Sequence, residues 1–221
     1  MARSIWRTVH GPIARRGASP QNIISPRNLC LPLLPAAFLI KPGSLVRDQV
    51  GNILDARSSS TLIISDVKIV VDTGLCGEGK LIREGVAKWG LCPEDIDLVV
   101  NTHGHEDHTG NNHLFVSART LGPGERREGH RIAEGVWIME TPGHTLDSVS
   151  VVCQSERTVI VAGDALPTKN NFSKRVPPRL HVDRDLAIRS MERIIETAEI
   201  VIPGHDRPFA LDGGSHPSSL E

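Results

Sequence analysis

The stretch "THGHEDHTG", residues 102 to 110, sets His103, His105, Asp107 and His108 within six positions. His103 and His105, two apart on an extended turn, can point to one cation. Adjacent Asp107 and His108, at the start of a helical turn, can reach a second, so one short loop seeds two metal sites. Gly104 and Gly110 are expected to let the backbone turn tightly beside them.

The loop is fed by a strand, and the rest of the chain repeats that arrangement. "STLIIS" (60 to 65) and "VKIVVDTG" (67 to 74) are rich in β-branched residues and read as a hairpin. "GKLIREGVAKWG" (79 to 90) places Leu81, Ile82, Val86 and Trp89 at helical spacing, with Gly90 as the stop. "DIDLVVNT" (95 to 102) is a strand running into the histidine loop, and "VWIMET" (136 to 141), "SVSVVC" (148 to 153) and "RTVIVAGD" (157 to 164) are further strands. "RDLAIRSMERIIETAE" (184 to 199) carries Leu186, Ile188, Met191, Ile194 and Ile195 on a helix with Asp183 as N-cap, and "IVIPGH" (200 to 205) is the last strand. Strands interleaved with two helices predict an α/β architecture of sheets with helices outside them.

Four of these strands finish in a metal-type donor after a short turn: His103, His144 in "TPGHT", Asp164 in "VAGD" and His205 in "IPGH". Sheets bind ligands beyond such strand ends, so the donors can meet in one place. His103, His105, Asp107, His108, His144, Asp164 and His205 are too many for one catalytic tetrahedral ion and suit two, roughly 3.5 to 4 Å apart. Imidazole and carboxylate without thiolate favour Zn²⁺, two per chain, with Fe or Mn as alternatives.

Composition narrows the setting. At 221 residues one domain is expected, and a formal net charge of −1 provides no overall field for nucleic acid. Cys30, Cys76, Cys92 and Cys153 form no C-x-x-C pair, which points to a reducing, cytoplasmic setting and away from cysteine metal sites. The apolar run "LCLPLLPAAFLI" (29 to 40), interrupted by Pro32 and Pro35, falls short of the roughly 18 residues of a membrane helix. No membrane association is expected. The first 28 residues hold five Arg and no acid, the composition of an organellar transit peptide and of mitochondrial import, yet Pro and Gly break any amphipathic helix. Residues 1–35 are therefore expected to be a basic extension, 36–212 the folded domain and 213–221 a tail.

In this order "HGHEDH", "PGHT", "GD" and "PGHD" resemble the metallo-β-lactamase superfamily across roughly residues 37 to 210. The resemblance implies a four-layer αββα sandwich with metals at one edge of its two sheets. It implies that His103, His105 and His144 hold the first metal, that Asp107, His108 and His205 hold the second, and that Asp164 bridges them. Asp72 in "VVDTG" matches the family's supporting aspartate at a strand end. The text of "TPGHTLDSVSVV", with Asp147 and Ser148 after the histidine, and of residues 43 to 63 is most similar to the branch of metallo-β-lactamase-domain-containing protein 1.

The expected activity is metal-dependent hydrolysis in which a hydroxide held between two cations attacks an ester, thioester, lactone, lactam or phosphodiester, with Asp107 orienting it and shuttling its proton. A small-molecule substrate is expected; RNA is the alternative, and a homodimer stays open. Acyl-homoserine lactonases of the superfamily commonly use a Tyr beside the bridging aspartate, and this chain has no Tyr. Two other readings of the same fold are a compact ribonuclease and a mononuclear-iron persulfide dioxygenase. His10, His113, His130, His181 and His216 fall outside the ligand order and read as surface or supporting residues. Lys169, Asn170 and Asn171 read as a polar loop, with a pocket wall as the alternative.

Overall fold

A computed structural model describes residues 34–211. The basic extension and the tail expected from the sequence lie, apart from residues 34 and 35, outside the described residues. The chain opens with β1 (Ala36–Lys41), β2 (Ser44–Arg47), β3 (Ile53–Arg57), β4 (Ser60–Ile64) and β5 (Lys68–Val71), followed by α1 (Gly79–Ala87), β6 (Leu98–Val100), α2 (Glu106–Thr109) and β7 (Arg119–Thr120). It continues with β8 (Arg131–Ala133), β9 (Val136–Glu140), β10 (Val149–Gln154), β11 (Thr158–Gly163), α3 (Lys169–Lys174), α4 (Arg184–Thr197), β12 (Ile200–Pro203) and β13 (Phe209–Ala210).

Two sheets result, ordered β1-β4-β5-β6-β7 and β13-β12-β11-β10-β9-β8. Their unbroken apolar strands are explained by burial on both faces, because side chains alternate along a strand and each face meets a different layer. In β5, Ile69 and Val71 enter the core between the sheets, while Val70 turns to the layer of α1. In β11, Val159 and Val161 face the other sheet, while Ile160 and Ala162 pack under α4 against Met191 and Ile194. The order is helix, sheet, sheet, helix, as the αββα expectation has it.

The strand pairing also decides where the donors go. β5 runs parallel to β6, β11 runs parallel to β12, and β9 is antiparallel to β10, which is antiparallel to β11. Asp72, His103, His144, Asp164 and His205 thus leave the carboxyl ends of strands at one rim, where ligand sites of such sheets form. β2 and β3 pair only with each other, as a separate hairpin.

Several local expectations are corrected. Trp89 lies past the end of α1 and stacks on Phe38 at 3.7 Å between centroids, and Leu81 is exposed; the buried stripe is Ile82, Gly85 and Val86. A side chain at position 85 would meet Ile40 O at 2.3 Å, so β1 packs where the sequence shows no apolar residue. Gly104 faces open space, without the positive φ that would demand glycine. Gly110 is needed for close approach, since a Cβ there would stand 2.3 Å from Cys76 N. Lys169, Asn170 and Asn171 begin the short helix α3, whose N-cap Thr168 accepts the Asn171 N–H, and do not form a loop.

Candidate metal centre

All seven expected donors converge. His103, His105 and His144 form one group, His103, His108 and Asp164 a second, and Asp107, His108 and His205 a third, each with ligand atoms within 4.8 Å of one another. Asp164 Oδ2 lies 3.5 Å from His144 Nε2, and its Oδ1 lies 3.5 Å from His108 Nε2 and 3.0 Å from His205 Nε2. One carboxylate therefore stands between the His103/His105/His144 group and the Asp107/His108/His205 group. His113 is exposed, His181 Nδ1 is bonded to Pro178 O, and neither His113, His130 nor His181 joins a donor group; His10 and His216 lie outside the described residues.

The rings are aimed from behind. His144 Nδ1 is 2.8 Å from Leu180 O, and His205 Nδ1 is 3.0 Å from Arg57 O. A carbonyl only accepts, so both Nδ1 atoms carry a proton and both Nε2 atoms are the ones turned to the cluster. Asp72 Oδ2 accepts from His108 Nδ1 at 2.8 Å and from the Thr102 hydroxyl at 2.9 Å, while Thr102 Oγ1 lies 3.2 Å from His103 Nδ1. Asp72 thus supports one ring directly and another through Thr102, from a backbone held at φ 56°. That conformation is costly for a residue with a Cβ and persists where the surroundings impose it. Thr102 was part of the quoted motif without an expected role. The carbonyls of Leu180 and Arg57 have no side-chain signature in a sequence.

Electrostatics favour cations here. Burial pushes His103 down to about 2, with the charge of His108 adding to the effect, so its ring is neutral and ready to ligate. Burial alone would lower His108 and His205, yet Asp72 and Asp164 hold His108 well above its ordinary value, and Asp164 raises His205. Asp164 stays well below the usual carboxylate range because His205 and His108 outweigh its burial. The carboxylates thus call for positive charge at the centre of the cluster. Two buried atoms aimed there, His108 Nε2 and Asp164 Oδ1, have no hydrogen-bond partner; His205 Nε2 bonds Asp164 through Oδ2 at 3.2 Å instead. Unpaired buried polar atoms are expensive, and coordination is the interaction that would satisfy both. The donor set fits divalent metal.

A cleft opens over the cluster, walled by Leu45, Ile53 and Ala56 of the hairpin, by Pro178 and Leu180, and floored by His105, Asp107, His144, Asp164 and His205. It continues past His205 into a larger cavity whose lining includes Asn170 and Asn171, the pocket-wall alternative for that segment.

Comparison with known proteins agrees with this geometry. The model of the metallo-beta-lactamase superfamily matches residues 55–140. A Methanocaldococcus jannaschii protein named "Probable metallo-hydrolase" is 40% identical over 146 residues, covering 62% of this chain and 70% of that protein. Metallo-beta-lactamase domain-containing protein 1 of Xenopus laevis is 31% identical over 182 residues, covering 75% of this chain and 77% of that protein. Among solved structures, an N-acyl homoserine lactone hydrolase with N-hexanoyl-L-homoserine at its catalytic metal centre is similar in fold, with TM-score 0.60 and 20% identity over 77% of this chain and 92% of that one. Identity of this extent is inheritance rather than convergence on a set of histidines, and the chain belongs to the metallo-beta-lactamase superfamily.

Proposed function

We propose that the chain is a hydrolase that binds two divalent cations, zinc foremost, and cleaves an ester, thioester, lactone or lactam bond of a small molecule. The observation that carries this reading is Asp164, with Oδ2 3.5 Å from His144 Nε2, Oδ1 3.5 Å from His108 Nε2, and the two oxygens 3.2 and 3.0 Å from His205 Nε2. In this assignment His103, His105 and His144 hold one cation, Asp107, His108 and His205 hold the other, and Asp164 is shared. Nitrogen and oxygen donors without thiolate suit zinc, with iron or manganese next. Cations in this position supply Lewis acidity toward a substrate oxygen and a water whose pKa falls from 15.7 toward about 7.

The chain's own groups direct the reaction. Asp107 is partly exposed at the cleft floor, its Oδ2 3.7 Å from His108 Nε2 and 3.6 Å from His205 Nε2, where it orients the attacking water and takes up its proton. Leu45, Ile53, Ala56 and Leu180 form an apolar wall that aligns the substrate and excludes bulk water. The absence of Tyr argues against a lactonase that relies on a tyrosine beside the bridging aspartate, and places thioesters and simple esters ahead of acyl-homoserine lactones.

Elemental analysis of protein purified without added metal, followed by a panel of thioester, lactone, β-lactam and RNA substrates, tests the proposal. Two zinc ions per chain with turnover of a carbonyl substrate is the expected result. One iron per chain with O₂ consumption on a persulfide, or RNA cleavage without any carbonyl turnover, would overturn it.

A further inference from the structure

The hairpin that roofs the cleft also brings charge to it. Arg179 Nη1 lies 2.6 Å from Gly51 O and 3.3 Å from Val50 O, and Arg47 Nη1 lies 3.1 Å from the same Gly51 O. Two guanidinium groups therefore share one carbonyl oxygen at the hairpin turn. Like charges so close repel, weakly at a solvent-exposed turn, and an anion bound between them would turn that repulsion into attraction. Among the described residues, arginine ion pairs are made by Arg57, Arg119, Arg126, Arg131 and Arg193, and not by Arg47 or Arg179. The acids of the hairpin bond neither arginine directly. Asp48 accepts the Val50 and Asn52 N–H groups and the Asn52 amide, and Asp55 pairs with Arg57.

Gly51 adopts φ +87°, which favours glycine at the turn, and the head of Arg179 lies against it, its Nη1 2.2 Å from where a Cβ would stand. Both arginines line the cleft that holds His105, Asp107, His144, Asp164 and His205. Both also line the adjoining cavity of about 620 Å³, with Arg207 on its wall and Asp206 its single acid. Asp206 in turn accepts backbone N–H groups of Lys169 and Arg207. A volume of that size suits a small molecule.

We propose that the substrate carries an anionic group, a carboxylate or a phosphate, on its non-reacting end, and that Arg47 and Arg179 receive it while Leu45 and Ile53 pack the apolar carbons between that group and the metal centre. Each guanidinium keeps N–H groups beyond the one bound to Gly51 O, in a planar fork that matches such an anion. The inference names the substrate class for the hydrolase reading, and its test is read by binding, so a protein that hydrolyses nothing still decides it.

Isothermal titration of the metal-loaded full chain with succinate, and separately with inorganic phosphate, is compared between the native protein and Arg47→Gln, Arg179→Lys and Arg157→Ala. Any anion affinity of the metals is common to all four proteins, so differences report the arginines. The expected result is binding of one anion that weakens at least tenfold in Arg47→Gln and is unchanged in Arg157→Ala, with succinate or phosphate as the tighter ligand identifying the group. Arg179→Lys keeps the charge without the fork and should weaken binding by less than Arg47→Gln. Arg47 makes a single bond to the turn, so its variant retains the fold even where a change at Arg179 disturbs the hairpin. Equal affinities in native protein and folded Arg47→Gln, absence of binding by both anions, or binding of an oligoribonucleotide but of neither small anion would each overturn the proposal. On metal-loaded protein, a thioester of 3-mercaptopropionate should be hydrolysed with at least tenfold higher kcat/KM than the matching thioester of 3-mercaptopropionamide, and the ratio should collapse in Arg47→Gln; equal rates for the pair count against it.

Discussion

The donor cluster and the β2–β3 hairpin face each other across one cleft and are held in opposite ways. His103 and His108 are fully buried, and the rings of His108, His144 and His205 are each fixed through Nδ1 by a carboxylate or a carbonyl. The hairpin exposes Val46, Val50 and Leu54 at 48, 74 and 67% and is tied to the 175–183 segment by Arg179. Deeply bonded groups have one arrangement, whereas a segment with few buried contacts yields at low cost. On the proposed function the centre would set the chemistry and the hairpin what enters, so the two should respond to mutation in different quantities.

The largest contrast is expected from Asp164→Ala. It removes the carboxylate proposed to be shared by the two cations and should lower turnover on the order of 10³-fold, about 4 kcal/mol in the barrier, while circular dichroism stays native. Turnover retained in a metal-quantified variant would erase the distinction between the two regions. Asp72→Ala should weaken metal affinity by about 10 to 100-fold without touching the cleft, read by competition with a chromophoric chelator, because it supports His108 directly and His103 through Thr102. Gly110→Ala should cost about 1 to 3 kcal/mol in denaturant unfolding, since the added carbon meets the backbone at Cys76 N and Leu75 C, at 2.3 and 2.7 Å, and backbone yields poorly. The smallest effect belongs to the hairpin. Leu54→Ser should leave stability within about 0.5 kcal/mol of native by the same unfolding measurement, and a larger loss would show that the hairpin is held as firmly as the centre.

Much of the site was legible because its donors are local signals. A strand followed by Pro-Gly-His or Gly-Asp, as at His144, Asp164 and His205, or running through Asn101 and Thr102 into His103, can be read within eight residues, and four such strands in an αββα architecture have few ways to avoid meeting. The N-cap of α4 was equally local, with Asp183 accepting the Leu186 N–H. Tertiary contacts were not legible. Leu81 and Ile82 are both apolar in a helical pattern, and which one is buried depends on β1 passing over Gly85. The supports of His144 and His205 are main-chain carbonyls, which every residue possesses. Arg47 and Arg179 are separated by most of the chain and meet only because the hairpin folds back over the rim, so no spacing rule could pair them.

The most direct test is a crystal structure of the zinc-loaded protein with anomalous scattering measured at the zinc edge. Two peaks within roughly 3.5 to 4 Å of each other, both contacted by Asp164 and divided between His103/His105/His144 and Asp107/His108/His205, is the predicted result. A single peak, or two that do not share Asp164, would contradict the account.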